Sequence, residues 1–119
     1  MKPKSAKAKG RRLQQTVVEM LVEFGIDEAD VRSAIMGESG EDIPLSSVGR
    51  DRFPFSIECK NTERLSIWSA WKQAMKNAGH HPPIVIFKRN HSEILCTLRF
   101  SDLLEVLRGG KANDQSSLR

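Results

Sequence analysis

Apolar residues recur at Leu13, Val17, Met20, Leu21 and Phe24, the spacing of one helical face, so the chain from about Arg11 to Gly25 is predicted to be an amphipathic helix stopped by the glycine. Residues 27–36 (DEADVRSAIM) predict a short acidic-capped turn, and GESGED a loop. IPLSS then predicts a short strand opened by Asp42, VGRDRFP a turn, and FSIECKN (55–61) a second strand antiparallel to the first. In that second strand Phe55, Ile57 and Cys59 point to one face, while Ser56, Glu58 and Lys60 share the other. A further helix follows Thr62 and runs to about Ala78, with Ile67, Ala70, Trp71, Ala74, Met75 and Ala78 on one stripe and Gly79 before HHPP as its stop. IVIFKR (84–89) and EILCTLR (93–99) predict two more strands joined through Asn90, His91 and Ser92, and Ser101 is expected to cap a last helix, DLLEVLR, closed by Gly109 and Gly110. This order predicts a single α/β domain with a central mixed β-sheet of about four strands flanked by helices.

Length and charge sharpen the picture. The chain has 119 residues, enough for one core and too few for two. Its formal charge of +4 is uneven: Lys2, Lys4, Lys7, Lys9, Arg11 and Arg12 all precede the first acid, Glu19, leaving 13 basic against 15 acidic residues behind them. Residues 1–10 are therefore expected to be a basic flexible arm, 11–108 the folded domain, and 109–119 a frayed polar tail. An arm of this kind binds polyanions through counterion release, or simply remains a solvated end. No apolar run has the length of a membrane span or the form of a signal peptide, so an intracellular, cytoplasmic protein with no membrane partner is expected. Cys59 and Cys96 each lie in an alternating apolar run and are expected to be buried small hydrophobes, without a disulfide framework.

The chemistry concentrates on Asp42, Glu58 and Lys60. If the first two strands pair, both carboxylates converge with the lysine alongside. Two carboxylates and a backbone carbonyl are hard oxygen donors, a partial cage of the kind Mg²⁺ accepts while keeping waters and a substrate phosphate. A lysine beside such a site can orient a water. Asp42 followed by Glu58-Cys59-Lys60 resembles the PD-(D/E)XK nuclease superfamily. Lys9-Gly10 before the first helix, GEDI and IECKN are similar, more narrowly, to archaeal-type Holliday junction resolvases and small phage-encoded endonucleases.

The resemblance covers roughly residues 9–100. It implies a restriction-endonuclease-like fold and a metal-dependent DNA endonuclease that uses Mg²⁺, with Mn²⁺ as substitute and no nucleotide cofactor. Asp42, Glu58 and the Cys59 carbonyl would hold the metal, Lys60 would position the attacking water, and the products would carry 5′-phosphate and 3′-hydroxyl ends. It further implies branched DNA as substrate, a symmetric homodimer, and a bacterial or phage-infected host cell. A nicking or replication-associated phage nuclease without junction preference, and a catalytically silent DNA-binding accessory protein, stand as alternatives.

This chain departs from the family pattern in two places: Glu41 stands where the family has proline, and Gln14 where the resolvases carry a glutamate on the first helix. Gln14 falls at the border of the apolar face and Glu19 opposite it, which favours Gln14 as the first-helix group near the metal. Gln73, on a helix face with Ser66, Ser69 and Asn77, resembles the supporting polar residue of the family; either it contacts phosphate or it is a solvent-facing glutamine. Trp68 and Trp71 serve either as stacking platforms or as core or dimer residues. Lys7, Lys9, Arg11, Arg12, Arg50 and Arg52 are the candidate phosphate contacts, with Lys88 and Arg89 at strand ends. Asp51 is a rival metal ligand, but two flanking arginines neutralise it. The three histidines lack zinc-ligand spacing, and no glycine-rich phosphate loop, nucleotide-binding fingerprint or Ser-His-Asp set is present.

Overall fold

The computed structural model describes residues 3–109. Its elements are helix α1 (Pro3–Phe24), a short 3₁₀ turn (Glu28–Asp30), helix α2 (Ser47–Arg52), strand β1 (Ser56–Asn61), helix α3 (Ile67–Ala78), strands β2 (Pro83–Lys88) and β3 (Leu95–Leu98), and helix α4 (Phe100–Gly109). The sheet has three strands in the order β1-β2-β3; β1 and β2 are parallel, joined by the α3 crossover, and β3 runs antiparallel to β2. A single α/β domain with a mixed sheet is thus observed, with three strands where four were expected.

α1 covers one face of the sheet. Leu13, Val17 and Leu21, spaced by four, are buried with Ile57, Cys59, Ile84 and Ile86. Met20 and Phe24, placed on the same stripe by the sequence, are exposed, and the Arg52 guanidinium lies over the Phe24 ring at 5.8 Å. The apolar stripe of α1 is displaced from the predicted one: Val18 and Val22, partly buried against the same core, take the flank expected of Met20 and Phe24. The helix also begins earlier than Arg11: residues 3–10, expected as part of a flexible arm, form its first turns. Lys and Ala favour helix, and Lys9 is in phase with Leu13 one turn later. Residues 110–119, expected as a frayed tail, lie outside the described residues.

α3 covers the other face. Ala70 and Ala74 pack on Val85, with Leu65, Trp71 and Phe87 at the margin. Ser66 caps the helix by accepting the Ser69 N–H, and Gly79, at φ 61°, ends it. Lying between two helical layers, β1 is buried on both faces, so Ser56 and Glu58 face α3 rather than solvent. Trp68 is 74% exposed and Trp71 partly buried. On the edge strand β3, Cys96 is exposed, contrary to expectation, because only one flank of that strand is covered.

The segment IPLSS is not a strand. Asp42 donates its N–H to the Ile57 carbonyl at 2.8 Å, a single main-chain bond to the outer edge of β1. The chain bends at Asp42 and Ile43, so the Asp42 carbonyl turns away from β1 toward Ala34 and the main-chain pairing with β1 goes no further. The Phe55 carbonyl, on the same edge of β1, accepts from Arg50 Nη1 at 3.1 Å. On its other side the segment bonds to 31–34, through Ala34 N–H to Asp42 C=O and Arg32 N–H to Pro44 C=O, with a single bridge between Val31 and Leu45. VGRDRFP, read as a turn, contains α2, which Ser46 caps by accepting the Gly49 N–H while donating to the Asp30 carboxylate at 2.7 Å.

Candidate active site

Asp42 reaches β1 twice. Besides its backbone bond, its carboxylate accepts the Cys59 N–H at 2.8 Å. In an extended strand the N–H and C=O of one residue point to the same edge, so the Cys59 carbonyl also lies on the edge that Asp42 occupies. Burial, and then the charges of Asp42 and Glu58, push the Cys59 thiol well above its ordinary range. The sulfur therefore stays a neutral thiol, and the group Cys59 offers to a cation is its carbonyl.

Glu58, 4% exposed, stands on the α3 face of β1. Its Oε1 accepts from Asn77 Nδ2 at 3.2 Å, and its Oε2 lies 3.7 Å from Lys60 Nζ. Lys60 Nζ in turn donates to Gln73 Oε1 at 2.6 Å. Residues two apart on a strand are separated by about 6.6 Å, and residues four apart on a helix by about 6 Å. A helix antiparallel to β1 therefore sets Asn77 over Glu58 and Gln73 over Lys60, two positions locked in register. Gln73, proposed from the sequence, is thus brought to the lysine. Asn77 was missed as a site residue, although its spacing of four from Gln73 was visible.

Glu58 senses the charge of Asp42. Burial raises the Glu58 carboxyl above the usual range, the Asp42 charge raises it further, and Asn77 and Lys60 oppose this. Burial likewise raises Asp42, against the Cys59 N–H and the Lys60 charge. Such a pair is poorly tolerated when both members are ionised, and a cation between them relieves the strain. Among the described residues no three His, Cys, Asp or Glu side chains converge as a metal-holding group. The protein's donors are then two carboxylates and one carbonyl, a set that fits Mg²⁺ completed by water and phosphate.

The other candidates are scattered. Gln14 is half-buried, with its Oε1 accepting from Ser33 Oγ. Ser33 precedes Ala34, which bonds the Asp42 backbone, so Gln14 braces the Asp42 segment and does not contact either carboxylate. Glu19 is exposed on α1 and Asp51 on α2. Lys7, Arg11 and Arg12 are exposed on α1, and Arg52 stacks on Phe24. Arg50 is turned inward, bonded to Glu41 Oε2 at 2.6 Å and to the Phe55 and Leu45 carbonyls, so its guanidinium is not presented at the surface. Lys9 is buried and lies 3.8 Å from Glu63. No helix among the described residues is long and apolar enough to cross a membrane. Comparison with protein-family models, with curated proteins and with solved structures finds no match for this chain.

Proposed function

We propose that the protein is a metal-dependent DNA endonuclease of restriction-endonuclease-like fold, selective for branched structure and active as a homodimer. One observation carries the reading: the Asp42 carboxylate is clipped to the Cys59 N–H, bringing it beside Glu58 and Lys60 of the same short strand. The parallel β1-α3-β2 crossover, with the acid-x-lysine strand preceding the helix, supports the same reading.

A divalent cation held by Asp42, Glu58 and the Cys59 carbonyl would neutralise phosphate charge and lower the pKa of water. Asp42 is kept in place by a charge-assisted hydrogen bond to the main chain, and Glu58 by Asn77, so neither needs to reorganise on binding. Gln73 holds the Lys60 ammonium at the open side of the pair, where it can donate to the attacking water or to a nonbridging phosphate oxygen. Water adds to phosphorus, the bond to the 3′-oxygen breaks, and the products are a 5′-phosphate and a 3′-hydroxyl.

The test is nicking of supercoiled plasmid and cleavage of a four-way junction with Mg²⁺. Wild type should cut, and cut the junction in preference to linear duplex of equal length. Asp42→Asn, Glu58→Gln and Lys60→Ala should each be folded and inactive, the first two with DNA binding unchanged or tighter. Wild-type cleavage by any of the three would remove the proposal; equal cleavage of junction and duplex would remove only its structural selectivity.

A further inference from the structure

β1 and β2 run parallel, so their carboxyl ends open together, the place where α/β sheets tend to bind ligands. A cavity of about 390 Å³ lies there, bounded by Lys9, Arg12 and Thr16 of α1, by Asn61 and Lys88, the last residues of the two strands, and by His91. Asn61 and Lys88 are register partners, and Asn61 Nδ2 donates to the Lys9 carbonyl at 3.0 Å, which ties α1 to the strand end.

The Lys9 side chain is over nine-tenths buried, and its Nζ has no hydrogen-bond partner among the described residues. Among the described residues its one ion-pair contact is Glu63 Oε2 at 3.8 Å, beyond hydrogen-bond length. That oxygen already accepts the Asn90 N–H, and the Glu63 side chain is half exposed. Asn61 Oδ1 is a second buried polar atom without a partner among the described residues, an acceptor that a water or a protonated phosphate oxygen would satisfy. A buried ammonium is tolerated only when paired and hydrogen-bonded. Three basic side chains, Lys9, Arg12 and Lys88, line a cavity floored by Leu13 and Ile94 with one half-exposed carboxylate nearby, and what is missing is an anion.

We propose that this cavity is a phosphate pocket, in which Lys9, Arg12 and Lys88 hold one phosphate group. Asn61 follows Lys60 directly but points to the opposite face of β1, so the pocket takes a phosphate other than the one being cut. That this phosphate belongs to the nucleic-acid strand engaged at Asp42 and Glu58 rests on the proposed function; the affinity of the pocket for phosphate does not.

The experiment is titration of the metal-free, full-length ¹⁵N-labelled protein with inorganic phosphate, followed at the amides of Asn61, Lys88 and Asn90. These amides should shift together in a saturable manner, and Lys9→Met should weaken the affinity at least tenfold. If Lys9→Met does not fold, the Arg12→Gln/Lys88→Gln double variant carries the same expectation. Absence of a shift at these amides, or unchanged affinity in the folded variant, overturns the proposal. A 5′-phosphorylated dinucleotide and its 5′-hydroxyl counterpart distinguish the source. Stronger binding of the first indicates a terminal phosphate, equal binding an internal phosphodiester, and either supports the pocket. Failure of the wild-type protein to cleave DNA would leave this titration intact, so the two readings fail separately.

Discussion

Glu58→Gln should make the metal-free protein more stable while abolishing its chemistry. The substitution keeps the shape of the side chain and an oxygen for the Asn77 amide to bond, and removes the charge. Incompletely compensated burial of a carboxylate costs several kcal/mol. Against this stand the Asn77 hydrogen bond, about 2 kcal/mol for a charged acceptor, and the Lys60 ion pair, about 1 kcal/mol at its partial exposure. Glu58 is 4% exposed and its carboxyl is raised by burial and then by Asp42, so the net sign is unfavourable to the charged form. The expected gain on substitution is about 1–2 kcal/mol, a rise in Tm on the order of 5 °C. The pH dependence has a definite sign. Because the folded-state value lies above the unfolded one, the native protein holds a proton that the unfolded chain has lost, and wild-type stability declines as pH rises through that window. The advantage of the variant should therefore appear above the ordinary glutamate value, about pH 4.3, and reach its plateau once pH passes the raised native value. Differential scanning fluorimetry in EDTA from acid to neutral pH measures it. Adding Mg²⁺ at about 100 times its Kd should stabilise the wild type by about 2.7 kcal/mol and invert the order. A variant less stable than wild type in EDTA at neutral pH would show that the buried Glu58 charge is fully compensated by its neighbours.

Arg50→Ala should act on stability rather than on DNA affinity. Its guanidinium satisfies Glu41 and the Phe55 carbonyl, and its side chain is 15% exposed against 17% for Glu41; losing it should cost about 3 kcal/mol, read as a fall in urea midpoint. Gln73→Ala should lower kcat about 10- to 100-fold by releasing Lys60, with Tm and DNA affinity unchanged because Gln73 is exposed; restoration of the rate by Gln73→Glu, which keeps the acceptor, would identify positioning as the role. Replacing Lys7, Arg11 and Arg12 with glutamine should flatten the dependence of log K on log salt by up to about 0.9 for each phosphate no longer neutralised, measured by fluorescence anisotropy, whereas an unchanged slope would show that this face of α1 does not meet DNA.

The convergence of Asp42, Glu58 and Lys60 was legible because it depends on order and alternation: an acid after a glycine loop, then two same-face residues on the next extended segment. The strand expected to carry Asp42 did not form, because the chain bends at Asp42 and Ile43 and turns the Asp42 carbonyl toward Ala34, a bend that alternation along the segment does not encode. α2 was missed because a six-residue helix leaves too short a periodic pattern, although Ser46 three residues before Gly49 marks its cap. The burial of Lys9 was hidden by its charge. Its phase with Leu13, Val17 and Leu21 becomes meaningful only when the helix is known to begin before it. Asn77 shares a helix face with Gln73, but which of several polar residues on that face would meet Glu58 follows from the antiparallel run of α3 over β1. Exposure of Cys96 follows from the edge position of β3, a property of strand order that alternation along one segment does not encode.

The proposed activity requires that Asp42 and Glu58 together hold a divalent cation. Mn²⁺ titrated into the protein and followed by electron paramagnetic resonance reads this directly, since bound Mn²⁺ loses its free-ion signal. Saturable binding to the wild type is expected, displaced by Mg²⁺, with Asp42→Asn and Glu58→Gln each weakening it at least tenfold and Lys60→Ala leaving it in place. Equal Mn²⁺ binding by wild type and the Asp42→Asn/Glu58→Gln double variant would contradict the claim.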